Sequence, residues 1–386
     1  MPHHPVLNPN KPDKCRPVFD ASAVHRGASL NAALLKGPDM LTNLIGVLLR
    51  FRENRIALSD DIVKMFHQVR VRPADGPAFR FYWREPGTAD PPSVFQMDVQ
   101  IFGSVCSPTI CAYVLRRAAA DGGADAPVVT RQIEDHFYVD NWLTSFETED
   151  EAIRHATVVS KVLQRGGFEL AQWGSSSAAV LQSLPGRPVT TIDLDLDDMP
   201  VERTLGLSLH YGSDTFIVKA TIPPDSATKR EILRATASIY DPCGFLSPVL
   251  LRAKLILQAV CRTTASWDDP LDSVILDDWR MWASELSRLI PVKIPRCYNS
   301  QISESLGVGL HVFADASESA FGAIAYLRFT HPDGVKVSFV ISKTRVAPLK
   351  YVSIPRLELC AALLAARLAA VIKSELRIKL DQTTYW

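Results

Sequence analysis

The stretch HFYVDNWLTSF, His136 to Phe146, sets a carboxylate inside a run that otherwise reads as a buried β-strand. Asp140 follows Phe137, Tyr138 and Val139 and precedes Asn141, Trp142 and Leu143. Burying an unpaired charge costs several kcal/mol. Asp140 therefore calls for a cation, a metal ion or a turn that exposes it, and which of these applies decides both fold and chemistry.

Two more carboxylates share the oddity of closing an apolar strand: Asp61 in ALSDDI and Asp315 in VFADAS. Strand ends from one sheet can meet in space although far apart in sequence. Carboxylates brought together this way repel unless a cation lies between them. A pair of Mg²⁺ ions about 3.5–4 Å apart is the arrangement that stabilises attacking and leaving oxygens in phosphoryl transfer. The plainer reading, that Asp61 and Asp140 are satisfied by backbone N–H groups, stays open on the residues alone, as does an unrelated Mg²⁺ phosphohydrolase.

Working outward, CRPVFDAS reads as a short strand after a Pro-rich opening without periodicity. Leu41, Leu44, Ile45, Leu48 and Leu49 recur at helical spacing, with Pro38-Asp39 as the start signal. RIALSDDI is a strand and VKMFHQV a short helix or turn. FRFYW and SVFQMDV pair across a Pro/Gly-rich loop. SPTICAYVLRRAAA is a helix, then a Gly/Ala/Asp linker leads back to the opening stretch. A charged helix over EDEAIRHATVVSKVLQRGG stops at Gly166-Gly167. TIDLDLDDMP lacks a glycine and calcium-loop spacing, and reads as an exposed strand or linker. TLGLSLHY and DTFIVKA form a strand pair, followed by helices over SATKREILRATASIY and SPVLLRAKLILQAVCR. Lys229 to Arg262 carries six basic and two acidic residues, usable along a phosphate backbone though more often a solvated face. GVGLHVFADAS, AFGAIAYLRF and KVSFVISK are three strands, before a long helix with Pro355 in its first turn.

Composition narrows the class without naming a partner. The 386 residues are 47% hydrophobic and 22% charged, which is globular rather than disordered. Basic and acidic residues balance at 42 each, so any nucleic-acid groove has to be local. The seven cysteines, including Cys15, form no C-x-x-C pair and no zinc spacing. Without an apolar leader or an unbroken run of about 18 apolar residues, an intracellular, cytoplasmic or nuclear, chain with no membrane partner is expected. Oligomeric state is left open.

The order RPVFDASA, DIVKMFHQVRV, FGSVCSP, FYVDN, GGFELAQW, LGLSL and SIYDPCGFLSP resembles the reverse transcriptase of BEL/Pao-class long-terminal-repeat retrotransposons. VFADAS and IPRLELCAALLAARL resemble the first part of the ribonuclease H domain that follows it. The resemblance implies an α+β fold: right-hand fingers and palm over 1–180, a primer-grip hairpin and helical thumb/connection over 181–300, and a truncated ribonuclease H-like α/β domain over 301–386. It implies an RNA-directed DNA polymerase using Mg²⁺ (or Mn²⁺), with an RNA or DNA template, a primer and deoxynucleoside triphosphates as partners.

Carried over position by position, Asp61 is implied as the metal ligand on the first palm strand and Asp140 as the second, at a hairpin tip. Asp60 points to the opposite face and is structural. Phe66 is implied as the ring against the sugar, with plain core as its rival. Lys14 and Arg16 match the triphosphate grip. Phe102, Gly103, Ser107 and Pro108 match the loop beside nucleotide and template, where glycine permits close backbone approach. Leu205 to Leu209 resembles the primer grip. Asn141 stands where the family's catalytic pair has a second Asp, which removes one negative charge from the site. The alternative reading is a catalytically dead remnant that at most binds nucleic acid. Asp315 and Glu358 match the first two ribonuclease H carboxylates. With later carboxylates absent before Trp386, no ribonuclease H turnover is expected.

Overall fold

The computed structural model describes residues 1–8, 11–186, 188–193, 207–218, 227–289 and 291–386, with backbone alone for 7–8, 11–16 and 193. Strands β1 (His3–Asn8) and β2 (Lys11–Phe19) form an antiparallel hairpin, so the Pro-rich opening is paired chain rather than irregular. A short helix α1 (Leu30–Ala33) precedes α2 (Leu44–Phe51), which starts not at Pro38-Asp39 but at Asn43, whose side chain accepts from the Ile45 N–H. Next come β3 (Ile56–Asp61), α3 (Met65–Gln68), and the hairpin β4 (Arg80–Trp83) and β5 (Ser93–Gln96). Helix α4 (Ser107–Ala120) is followed by α5 (Ala126–His136), where a linker is expected. Strands β6 (Phe137–Tyr138) and β7 (Asn141–Phe146), helix α6 (Glu149–Arg165), β8 (Gly174–Ser175) and α7 (Ala178–Ser183) complete the first part.

These strands make an antiparallel sheet in the order β6-β7-β3-β8. Its covering is apolar: Ile62, Met65, Val129, Ile133, Trp142, Val159 and Trp173 close one core beneath it. Helix α6 is capped by Thr148, carries Glu149, Asp150 and Glu151 in its first turn and Arg165 in its last, in accord with the helix dipole. It ends as expected at Gly166-Gly167, with Gly167 at φ +86°.

A second sheet holds β9 (Thr191–Asp193), β10 (Leu207–His210), β11 (Thr215–Val218) and, after three helices, β12 (Val292–Pro295) in the order β12-β11-β10-β9. The helices are α8 (Lys229–Ser238), α9 (Ser247–Arg262) and α10 (Ser273–Leu289). They bury Ile232, Leu250, Ile256, Trp279 and Trp282 in a core shared with Phe51 and Phe216. Most of TIDLDLDDMP, and Leu205 with Gly206, lie outside the described residues.

The third sheet joins β13 (Gly307–Ala316), β14 (Ala320–His331), β15 (Gly334–Val346) and, beyond helix α11 (Ile354–Glu375), β16 (Gln382–Tyr385). The order is β15-β14-β13-β16, with β16 parallel to β13. Helix α11 packs Leu357, Ala361, Leu364, Leu368 and Ile372 on this sheet. Helix α2 links the cores: Val47, Leu48 and Phe51 enter the second part's core, and Leu49 enters the third's.

Candidate active site

Register brings the expected pair together. β3 and β7 run antiparallel with Asp61 opposite Asn141, and the Ile62 N–H donates to the Asp140 carbonyl at 2.9 Å. Cross-strand partners share a face, so Asn141 lies on Asp61's side of the sheet. The Asn141 amide then donates to Asp140 Oδ1 at 2.9 Å, which draws the second carboxylate to the same end. Both aspartates are half-buried. Asp140 closes the two-residue turn between β6 and β7, and Val139 before it sits at φ +56°. A β-branched residue there costs about 1–3 kcal/mol, at a position hairpins usually give to glycine. Lys64, three residues after Asp61, is also left-handed at φ +48°. Strained backbone thus flanks both carboxylates.

Asp60 takes the opposite face, as expected. It is fully buried, and its Oδ1 accepts from the N–H groups of Asp61 at 2.7 Å, Gln172 at 2.9 Å and Ala171 at 3.1 Å. Burial, only partly offset by those donors, pushes its carboxyl up to about 7. The Asp60 carboxyl fastens 169–172 alongside β3, where the Val63 N–H also reaches the Glu169 carbonyl at 2.9 Å. It holds the edge of the site without entering it.

The loop residues fall into two groups. Gly103 has φ +100°, and a Cβ there would lie 1.9 Å from the Phe19 carbonyl oxygen. Its close approach is to the end of β2. Ser107 is buried and its hydroxyl donates to the Ile101 carbonyl at 2.8 Å and Gln100 Oε1 at 3.1 Å, while Pro108 follows in the first turn of α4. Asn31 was not singled out by the sequence, yet it clamps this loop: its amide donates to the Gly103 carbonyl at 3.0 Å and its Oδ1 accepts from the Val105 N–H at 2.9 Å. A lone Asn in SLNAALL gives no signal of that.

Phe66 is buried against Ile62, Met65 and Val69, with half-buried Phe102 edge-on to it at 4.7 Å between ring centroids. The two rings sit together as one wall. Lys14 and Arg16 lie on β2, Arg16 paired with Val6, but their side chains are outside the described part.

Asp315 is exposed near the end of β13, with its Oδ1 accepting from the Ala316 N–H at 2.9 Å. Glu358 is exposed in the first turns of α11, the helix packed on that sheet. Among the described residues, no group of three or more His, Cys, Asp or Glu side chains is placed to hold a metal ion. The Asp61–Asp140 pair still fits a hard divalent cation in the chemistry of its donors, two carboxylates at the same end of the β3–β7 ladder. The six described cysteines are free thiols. Among the described residues no helix is long and apolar enough to cross a membrane.

Residues 228–386 match the family model described as the Pao retrotransposon-like RNaseH-like domain. Over that stretch the chain resembles the Pao retrotransposons. The match begins at α8, upstream of the boundary expected at 301. The chain also superposes on solved structures: the foamy viral protease-reverse transcriptase dRH in complex with double-stranded DNA has a TM-score of 0.57 at 14% identity, covering 100% of this chain and 58% of that one. The foamy viral protease-reverse transcriptase in complex with an RNA/DNA hybrid has a TM-score of 0.57 at 15% identity, covering 96% of this chain and 43% of that one. At such identity the likeness carries the fold, a mixed α/β reverse transcriptase architecture with a ribonuclease H-like domain. The chain spans about half the length of these structures. No curated protein matches it.

Proposed function

We propose that this chain belongs to a Pao retrotransposon and is an RNA-directed DNA polymerase that extends a primer 3′-hydroxyl with deoxynucleoside triphosphates along an RNA or DNA template. The observation that carries this reading is the convergence of Asp61 and Asp140 at one end of the β3–β7 ladder, in a fold shared with proteins solved on DNA and on an RNA/DNA hybrid. Asp61 and Asp140 are the residues to hold Mg²⁺ or Mn²⁺, which when bound supplies charge stabilisation to the attacking and leaving oxygens. Asn141 orients Asp140 through its 2.9 Å hydrogen bond. The Phe66–Phe102 wall and the loop at Gly103, clamped by Asn31, border the place for the nucleotide, with Lys14 and Arg16 as its triphosphate contacts. On this reading β1–β8 are fingers and palm, the β9–β12 sheet with α8–α10 is grip and thumb, and Asp315 with Glu358 are the carboxylates this chain brings to a ribonuclease H-like site.

Primer extension on an RNA template, with Asp61→Ala as control, tests the reading. Template-dependent product lost in the variant supports it. No product above that control at any Mg²⁺ or Mn²⁺ concentration overturns it. Salt-dependent nucleic-acid binding without extension would instead support a non-catalytic remnant, a reading favoured by the neutral amide of Asn141 at Asp140.

A further inference from the structure

The β4–β5 hairpin leaves an aromatic face uncovered. Alternation in β4 sends Phe81 and Trp83 one way and Tyr82 the other. Phe81 and Trp83 meet His3 of β1 at 5.4 and 5.9 Å, and Phe81 meets Phe19 of β2 at 5.1 Å. Tyr82 is 68% exposed beside its cross-strand partner Val94 at 59%, and among the described residues its ring stacks on no other. Arg80, two residues before Tyr82 and thus on its face, and Arg84, two residues after, are both exposed. An exposed aromatic ring with one arginine on its strand face and another just beyond the strand end is a surface for stacking a base while the neighbouring phosphates are neutralised.

The ribbon is too short for a second copy of the chain to seat on. Four residues at about 3.3 Å each give a face roughly 13 Å long, whereas a stable dimer needs about 800 Å² from each partner. The hairpin is also joined firmly to the candidate site. Its root pairs the Val71 N–H with the Asp98 carbonyl and the Gln100 N–H with the Val69 carbonyl, at 2.9 and 2.8 Å, between α3 and the Phe102-Gly103 loop. We propose that the Arg80–Tyr82–Arg84 face is a stacking platform for single-stranded nucleic acid, the unpaired template running ahead of the duplex. The choice of template as the strand rests on the polymerase reading; stacking of a single strand does not.

Fluorescence anisotropy with a labelled 20-nucleotide single strand and with a blunt RNA/DNA duplex tests this on the full chain. Tyr82→Ala should weaken single-strand binding about tenfold and leave blunt-duplex binding within twofold, while Tyr82→Trp should restore the affinity. Unchanged single-strand binding, or an equal loss on both probes, overturns the proposal. So does a shift in oligomeric state of Tyr82→Ala, measured by light scattering, with single-strand affinity intact. Primer extension by the unmodified chain is run in parallel: its absence counts against the polymerase reading and leaves the anisotropy result to decide the platform.

Discussion

Gly103 and Asn141 are the two single positions where a small change should tell most. An alanine at 103 would drive its Cβ into the Phe19 carbonyl and occupy a backbone region at φ +100° that costs an L-residue about 1–3 kcal/mol. Gly103→Ala should lower the unfolding free energy by at least that amount, read as a lower urea midpoint; an unchanged midpoint would show that the loop and β2 separate freely. Asn141→Asp acts on charge. It removes the donor to Asp140 Oδ1 and adds a carboxylate beside two others, so the metal-free protein should lose about 1 kcal/mol. Half-maximal primer extension should then be reached at lower Mg²⁺ than in the parent, and an equal or higher requirement would refute the charge argument. The need for glycine at 103 is legible in the sequence as close backbone approach. What it approaches, a carbonyl 84 residues earlier, is not, because nothing local marks Phe19 as its neighbour.

At the scale of the element, period and caps were readable where they were strong, and failed where turn residues sat inside a helix's own first turn. The run Asp121-Gly-Gly-Ala-Asp-Ala-Pro127 reads as a linker, but Pro127 is in the first turn of α5, where its missing N–H costs nothing. Val129, Gln132 and Ile133 then bury one face of that helix, and Gln132 Oε1 accepts from Trp142 beside the candidate site at 3.2 Å. Helix α10 buries Trp279, Trp282, Ala283 and Leu286, which follow a plain helical period. Within the basic stripe over Lys229–Arg262, surface ion pairs take up part of the charge: Arg230 pairs with Asp268 at 2.7 Å, and Arg252 pairs with Glu285. Thr228 starts α8 through a reciprocal capping box with Glu231. Thr228→Ala should cost about 1 kcal/mol by denaturant titration, and Thr228→Ser should recover most of it. A loss under 0.3 kcal/mol in the first variant, by rough bound, would mean that packing alone sets where α8 begins.

Across the whole molecule the parts are fastened at the end of α2, in Arg50-Phe-Arg-Glu53, and none of this is legible in sequence because these partners lie 85 to 325 residues away. Arg50 donates to the Asp135 carbonyl and pairs with Glu375 at the end of α11. Buried Arg52 donates to the carbonyls of Arg296 and Val340 at 2.9 and 3.1 Å, with its guanidinium 4.2 Å from the Tyr298 ring centroid. Buried Arg296 holds Asp214 at 2.6 and 2.9 Å and the carbonyls of Phe51, Asn54 and Arg55. Glu53 adds a pH dependence. Burial, opposed by the Arg377 N–H and the Arg50 charge, raises its carboxyl from 4.5 to about 7. Between those values the folded chain holds a proton that the unfolded chain has lost, so stability contributed by Glu53 falls as pH rises through about 7. Asp60 slopes the same way, whereas His136, pushed down to about 3 by burial, loses stability as pH falls below 6.5. Only a difference measurement isolates Glu53. Glu53→Gln keeps an oxygen to accept from Arg377, so the variant should match the parent below pH 4.5 and become the more stable of the two by pH 8. A pH-independent difference between them would show that Glu53 does not titrate between folded and unfolded states, and that the joint between α2 and the end of α11 is indifferent to its charge.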